Sequence, residues 1–230
     1  MADRVERTEA GESVRIAMGQ MLVEGGMPAE NLARAREMIA RAAGEGAQAV
    51  VLPECLDLGW THPSARDLAE PIPGGRSNAI CEAAVKNRIH VVAGLTERCG
   101  ERIYNTAVLA SPEGDLRLVY RKINVLTIAQ DLYSIGDRMS VVETPLGTIG
   151  VNICADNFSN SLELGHARWF PAGFKVVGQG AQRVDRQRMV GGGGAQQAHG
   201  VAAGRYPVVT RLVQGEHFEQ VGAAVRVEVA

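Results

Sequence analysis

The sequence predicts an α/β (α+β) protein built on a mixed sheet, and three observations carry that prediction. Strand and helix patterns alternate through residue 95. From residue 103 to 154 short strand patterns follow one another across tight turns, with no helix between them. A length of 230 residues provides for one large core and is too short for two comfortable ones.

The elements follow in order. Residues 14–18 (VRIAM) form a short apolar strand candidate. Residues 28–43 carry Leu32, Ala35, Met38, Ile39 and Ala42 at helical spacing, with Pro28 suited to a first turn and Gly44 to a stop. Residues 49–53 (AVVLP) are continuously apolar and valine-rich, the pattern of a strand buried on both faces. A second helix is expected at 77–88, with Ser77 as a cap, leading into a buried strand at 89–95. The hairpin region then gives strands at 103–110, 116–120, 140–143 and 148–154, with turns at SPEGD and TPLG. After residue 175 the character changes: Leu212 is the last Leu, Ile is absent, and nine glycines of 27 lie between Gly173 and Gly204. That stretch reads as a flexible linker, with weak strand patterns only at 206–213 and 221–229.

Composition excludes several functions. A formal charge of −2, with Arg scattered among Asp and Glu, gives no general attraction for nucleic acid. No apolar run reaches the length of a membrane span, and the charged start MADRVERTEAGES is not a secretory signal, so the expected location is the cytoplasm. Cys55, Cys81, Cys99 and Cys154 show neither CxxC pairing nor metal-ligand spacing, and no cofactor or metal is expected. The expected partner is a small molecule.

Ligands of open parallel sheets bind beyond the carboxyl ends of the strands. Three reactive side chains sit where apolar runs end: Glu54 after AVVLP, Lys122 after LRLVYR, and Cys154 closing TIGVNIC. Each alone has a bland reading: Cys154 as a small core hydrophobe, Glu54 as a strand-end acid, Lys122 as a solvated lysine. Together they supply a nucleophile, a proton carrier and a cation that lowers the thiol pKa and stabilises an oxyanion.

The segments AVVLPE (49–54), YRKIN (120–124) and GVNICADNF (150–158), with NTAVLASPEGDLRLVYRK between the first two, resemble the signature segments of the nitrilase superfamily over residues 14–167. That resemblance implies an α-β-β-α sandwich with Cys154 as nucleophile, Glu54 as base, Lys122 at the oxyanion and the Ala155 N–H as a second donor. It implies hydrolysis of a non-peptide carbon–nitrogen bond in an amide, nitrile or carbamoyl compound through a thioester-type intermediate, and pairing into a homodimer. Two departures stand out. The family's supporting second glutamate has no counterpart in INVLTIAQDLYSIGD, leaving Asp131 as the nearest candidate. Nothing after residue 175 resembles the family's closing strand and helix layer, so residues 14–177 are expected to form a truncated hydrolase domain and 178–230 an atypical Gly-rich tail. The competing expectation is a catalytically inactive remnant or binding protein with an incomplete fold.

Other motifs carry less. VVGQGAQR at 176–183 lacks the third glycine of a dinucleotide turn and reads as a flexible turn, and Gly191 to Gly194 lacks the Lys-Ser/Thr end of a phosphate loop. His90 reads as a structural histidine and Cys55 as a packing residue turned away from the site. Trp60, with His62, leaves the same strand end as Glu54 and is a candidate pocket residue.

Overall fold

The computed structural model describes residues 14–157, together with the backbones of two further strands, Lys175–Gln179 and Ala224–Val227. The first sheet holds β1 (Val14–Met18), β2 (Ala49–Val51), β3 (His90–Cys99), β4 (Arg102–Ala110) and β5 (Leu116–Arg121). The second holds β6 (Val141–Thr144), β7 (Gly147–Ile153) and β8 (Lys175–Gln179). Strand β9 (Ala224–Val227) closes the edge of the first sheet, whose order is β5-β4-β3-β2-β1-β9. β1, β2 and β3 run parallel, while β4 and β5 continue antiparallel as hairpins, so the sheet is mixed as expected.

The two helices between the parallel strands are α1 (Pro28–Gly44) and, after the single turn α2 (Ala65–Leu68), α3 (Gly75–Asn87). Pro28 occupies the first turn of α1, where its missing N–H costs nothing, and Asn31, Ala35, Ile39 and Ala42 form the buried stripe. α3 starts two residues before the expected Ser77 cap: Ser77 lies inside the first turn, and its Oγ accepts the Gly74 N–H at 2.8 Å. Arg88 ends α3 in the left-handed conformation.

Two cores result. Helix residues Ile39, Ile80 and Ala84 pack with Val50, Leu52, Val91 and Leu95 on the outer face of the first sheet. On its inner face Ile16, Val51, Val92, Leu109 and Tyr120 meet Ile149, Val151 and Ile153 of the second sheet. Helix layer, sheet and sheet are thus three of the sandwich's four layers; the expectation of an incomplete C-terminal part falls mainly outside the described residues. One local expectation is corrected. VVGQ, read as a flexible turn, forms most of β8, because Val176 and Val177 pair in parallel with Gly150 and Val151 of a buried strand. Of the two weak strand patterns, 221–229 contains β9, and 206–213 lies outside the described residues.

Candidate active site

The site lies where β2, β5 and β7 end. After β2 the chain does not continue as a strand: Cys55 adopts a φ of 46° and turns the backbone over β3. That turn is seated on Gly94, whose N–H donates to the Pro53 carbonyl at 3.1 Å and whose carbonyl accepts the Leu56 N–H at 2.8 Å. The approach excludes any side chain at 94, since a Cβ there would lie 2.6 Å from Glu54 Cα and 2.7 Å from Cys55 N. Glu54 therefore projects from an immobilised backbone.

Lys122 directly follows β5, and its N–H donates to the Asn105 carbonyl at 2.9 Å while its own carbonyl accepts the Gly136 N–H at 2.8 Å. Its ammonium donates to Glu54 Oε1 at 2.7 Å, and both residues are buried, at 2 % and 6 % exposure. Burial pulls the Lys122 pKa down, but Glu54, the Cys154 sulfur and Asp156 together outweigh it, and the value ends above the usual lysine range. The cation is fixed.

Cys154 begins the 3-10 turn Cys154–Asn157 after β7, with a φ of 46°. A non-glycine residue in this region stores strain of about 1–3 kcal/mol, and here it brings the partly exposed thiol off the strand end. Asp156 holds the turn closed. Its buried carboxylate accepts the Ile153 N–H at 3.1 Å, the Tyr120 hydroxyl at 2.7 Å, and the Asn124 N–H and Nδ2 at 2.8 and 2.9 Å. Tyr120 and Asn124 flank Lys122, so the same carboxylate ties the Cys154 turn to the lysine's segment.

The sulfur meets three groups: the Glu54 carboxylate as a hydrogen-bond acceptor, the Lys122 ammonium, and the Ala155 N–H as a donor. Burial, and then the Glu54 charge, push the thiol above its ordinary value, and the lowering by Lys122 and Ala155 does not compensate. The expectation that Lys122 lowers the thiol pKa is therefore only a partial effect; Cys154 rests as a thiol with a base already in contact.

The structure thus brings Glu54, Lys122, Cys154 and Ala155 together. Trp60 is half-buried and packs with Cys55, Val125 and Tyr133 beside the turn after Glu54. Asp131 is not brought to the site. It lies on the exposed side of the segment whose Ala129 and Tyr133 turn inward; its carbonyl accepts Arg66 at 3.1 Å, and no hydrogen bond or ion pair joins its carboxylate to the three. Cys55 is buried with its sulfur 3.6 Å from the Tyr133 hydroxyl, a packing position. His90 is buried and its pKa is lowered by that burial. No group of three or more metal-ligating side chains exists among the described residues.

Sequence reasoning missed Asn105. It is 1 % exposed, and its Nδ2 donates to Glu54 Oε1 at 2.6 Å. The available signal was an amide inside the largely apolar strand IYNTAVLA. A second buried constellation was also unseen: Asp57, two residues past Cys55, accepts Thr96 N–H, Thr96 Oγ1 and Arg76, and stiffens the loop after Glu54.

A buried acid–lysine pair gripping a strand-end cysteine, on paired sheets backed by helices, defines a cysteine-centred α/β sandwich site. The carbon-nitrogen hydrolase family model matches residues 15–164, and the chain belongs to that family. It is 36 % identical over 152 residues to the omega-amidase NIT2 of Danio rerio, covering 62 % of this chain and 54 % of that protein. Over 150 residues it is 33 % identical to a nitrilase of Pyrococcus abyssi, covering 63 % and 57 %. The chain thus spans about half the length of the curated relatives it matches. Among solved structures, Nit3 of Saccharomyces cerevisiae, from branch 10 of the nitrilase superfamily, superposes with a TM-score of 0.63 at 25 % identity, covering 75 % of this chain and 66 % of that one. A mutant amidase of Nesterenkonia sp. AN1, carrying acrylamide added to its active-site cysteine, shares the fold with a TM-score of 0.62 at 20 % identity, covering 72 % and 66 %.

Proposed function

We propose that this chain hydrolyses a non-peptide carbon–nitrogen bond in a small amide, nitrile or carbamoyl compound, with Cys154 as nucleophile. One observation carries the reading: a single buried carboxylate, Glu54, touches both the Lys122 ammonium and the Cys154 thiol. The similarity to proteins named omega-amidase and nitrilase supports the reaction class.

For an amide, Glu54 takes the thiol proton as the sulfur attacks the carbonyl carbon, and the carbonyl π pair moves onto oxygen. The Lys122 ammonium and the Ala155 N–H, both of which act on the sulfur, stabilise that oxyanion. The protonated Glu54 then delivers its proton to the leaving nitrogen as the carbon–nitrogen bond breaks, leaving a thioester on Cys154. Water, deprotonated by Glu54, attacks the thioester carbon and releases the acid, and the sulfur recovers a proton. Because Cys154 rests as a thiol, the base is needed at the first step. No cofactor enters the scheme. Trp60 is assigned to the pocket wall, since it lies beside the turn that carries Glu54.

The hydrolase domain is assigned to residues 14–177 and the tail to 178–230, which returns β9 to the sheet edge. The family resemblance supports a homodimer, and the reading places it in the cytoplasm. No described helix is long and apolar enough to cross a membrane.

The test is turnover of a panel of short aliphatic amides and nitriles, combined with mass-spectrometric mapping of cysteine alkylation. The labelling uses a Cys99→Ser background because Cys99 is exposed. Turnover lost in Cys154→Ala, with preferential labelling of Cys154, supports the assignment. Turnover that survives Cys154→Ala refutes it, and a wild type without turnover whose Cys154 labels no faster than the buried cysteines favours the inactive remnant. Glu54→Gln and Lys122→Ala should each cost nearly as much as both together, because the groups act as a unit.

A further inference from the structure

We infer that Asn105 is a positioning residue for the general base, holding the Glu54 carboxylate in the place that the sequence offered to Asp131. The inference rests on the hydrolase reading above and deepens it.

The geometry is specific. Asn105 is in β4, one residue before the pairing of Thr106 with Arg121, so it lies across from Lys122, and its carbonyl accepts the Lys122 N–H at 2.9 Å. Their side chains converge on one atom. Glu54 Oε1 receives Asn105 Nδ2 at 2.6 Å and Lys122 Nζ at 2.7 Å. One donor leaves a carboxylate able to swing about its terminal bond; two donors converging on Oε1 from neighbouring segments restrict that swing, and the same carboxylate hydrogen-bonds the Cys154 thiol.

The amide's orientation follows from chemistry. Reversing it would set Oδ1 against a carboxylate oxygen, so the nitrogen must face Glu54. This orientation leaves Oδ1 buried without a hydrogen-bond partner among the described residues. An orphaned acceptor is a cost that a residue kept only for packing would not carry, and an apolar side chain would avoid it. The donor is what the position requires. An acidic residue here would repel Glu54 and share a proton with it, whereas a neutral amide favours the ionised base without adding charge.

The experiment is the pH profile of Cys154 alkylation by iodoacetamide, read by peptide mass spectrometry in the Cys99→Ser background, for Asn105, Asn105→Ala and Asn105→Asp. This readout needs no turnover, so it answers even if the hydrolase assignment fails on its own test. Asn105→Ala removes the donor that favours ionised Glu54, and the acid limb should move up by about one unit. Asn105→Asp keeps the volume and should move it further, through like charges. Where an amide substrate is turned over, kcat should fall about tenfold in Asn105→Ala while KM changes little. Acid limbs that superimpose across the three proteins overturn the inference. So does an Asn105→Asp protein that keeps the unsubstituted profile and whose far-UV circular dichroism and urea midpoint show it folded.

Discussion

Replacing Gly94 by alanine tests whether the base is held by backbone seating. The added Cβ would lie 2.6 Å from Glu54 Cα, 2.6 Å from the Pro53 carbonyl oxygen and 2.7 Å from Cys55 N, all main-chain atoms, so no rotamer change relieves the contact. Opening 2.6 Å to 3.4 Å, the near limit of ordinary contact, displaces the 53–55 turn by about 0.8 Å. Carried to the carboxylate, that shift takes the 2.7 Å Lys122 and 2.6 Å Asn105 hydrogen bonds to the edge of hydrogen-bonding range. Misplacement on this scale costs about 100-fold in kcat/KM, and the overpacking costs about 1–3 kcal/mol of stability. Steady-state amide hydrolysis and urea unfolding measure the two effects separately. Gly44→Ala is the matched control: nothing lies within 4 Å of its Cβ, and both quantities should hold or improve slightly. Wild-type kcat/KM in a folded Gly94→Ala protein would refute the reasoning.

Two further outcomes follow from the buried groups. Cys55 and Cys154 are raised above 9.0, and Tyr120 and Tyr133 above 10.0, in each case chiefly by burial. The unfolded chain therefore releases these protons first, so stability is full below pH 9 and falls as pH rises through 9 to 10 and beyond. Urea midpoints at neutral and alkaline pH read that slope, and Cys55→Ala should make it shallower; an unchanged slope would count against Cys55. Tyr120→Phe removes the 2.7 Å hydrogen bond to Asp156 and should cost about 1.5–3 kcal/mol in urea unfolding, with a slower reaction through a loosened Cys154 turn. Unaltered stability would show that Asp156 does not depend on it.

Much of this was legible because it is local. AVVLP reads as a buried strand wherever it lies, and a reactive residue directly after such a run falls at a sheet end, which places Glu54, Lys122 and Cys154. Helix α1 announces itself by Pro28 and a stripe at helical spacing. What remained hidden depends on partners distant in sequence. Asn105 looks like a polar interruption of β4 until Lys122 is set across from it, 17 positions away. Asp156 matters through Tyr120, 36 positions earlier. The preference for Asp131 assumed that an acid must replace an acid; chain position could not show that the segment's inward face is taken by Ala129 and Tyr133. β8 was hidden because a Gly-containing run gains strand character only beside a buried partner such as β7.

Glu54 and Lys122 belong to one sheet and Cys154 to the other, so the proposed reacting centre is a seam. Neither sheet owns the chemistry. Ile149, Val151 and Ile153 stand between the sheets like a spacer whose thickness sets the sulfur-to-carboxylate reach. Shaving that spacer, as in Ile149→Val, would detune the reaction while each sheet kept its own hydrogen-bond ladder. On warming, activity should accordingly fade before the strands melt, which makes turnover a sensitive gauge of how firmly the two sheets are docked.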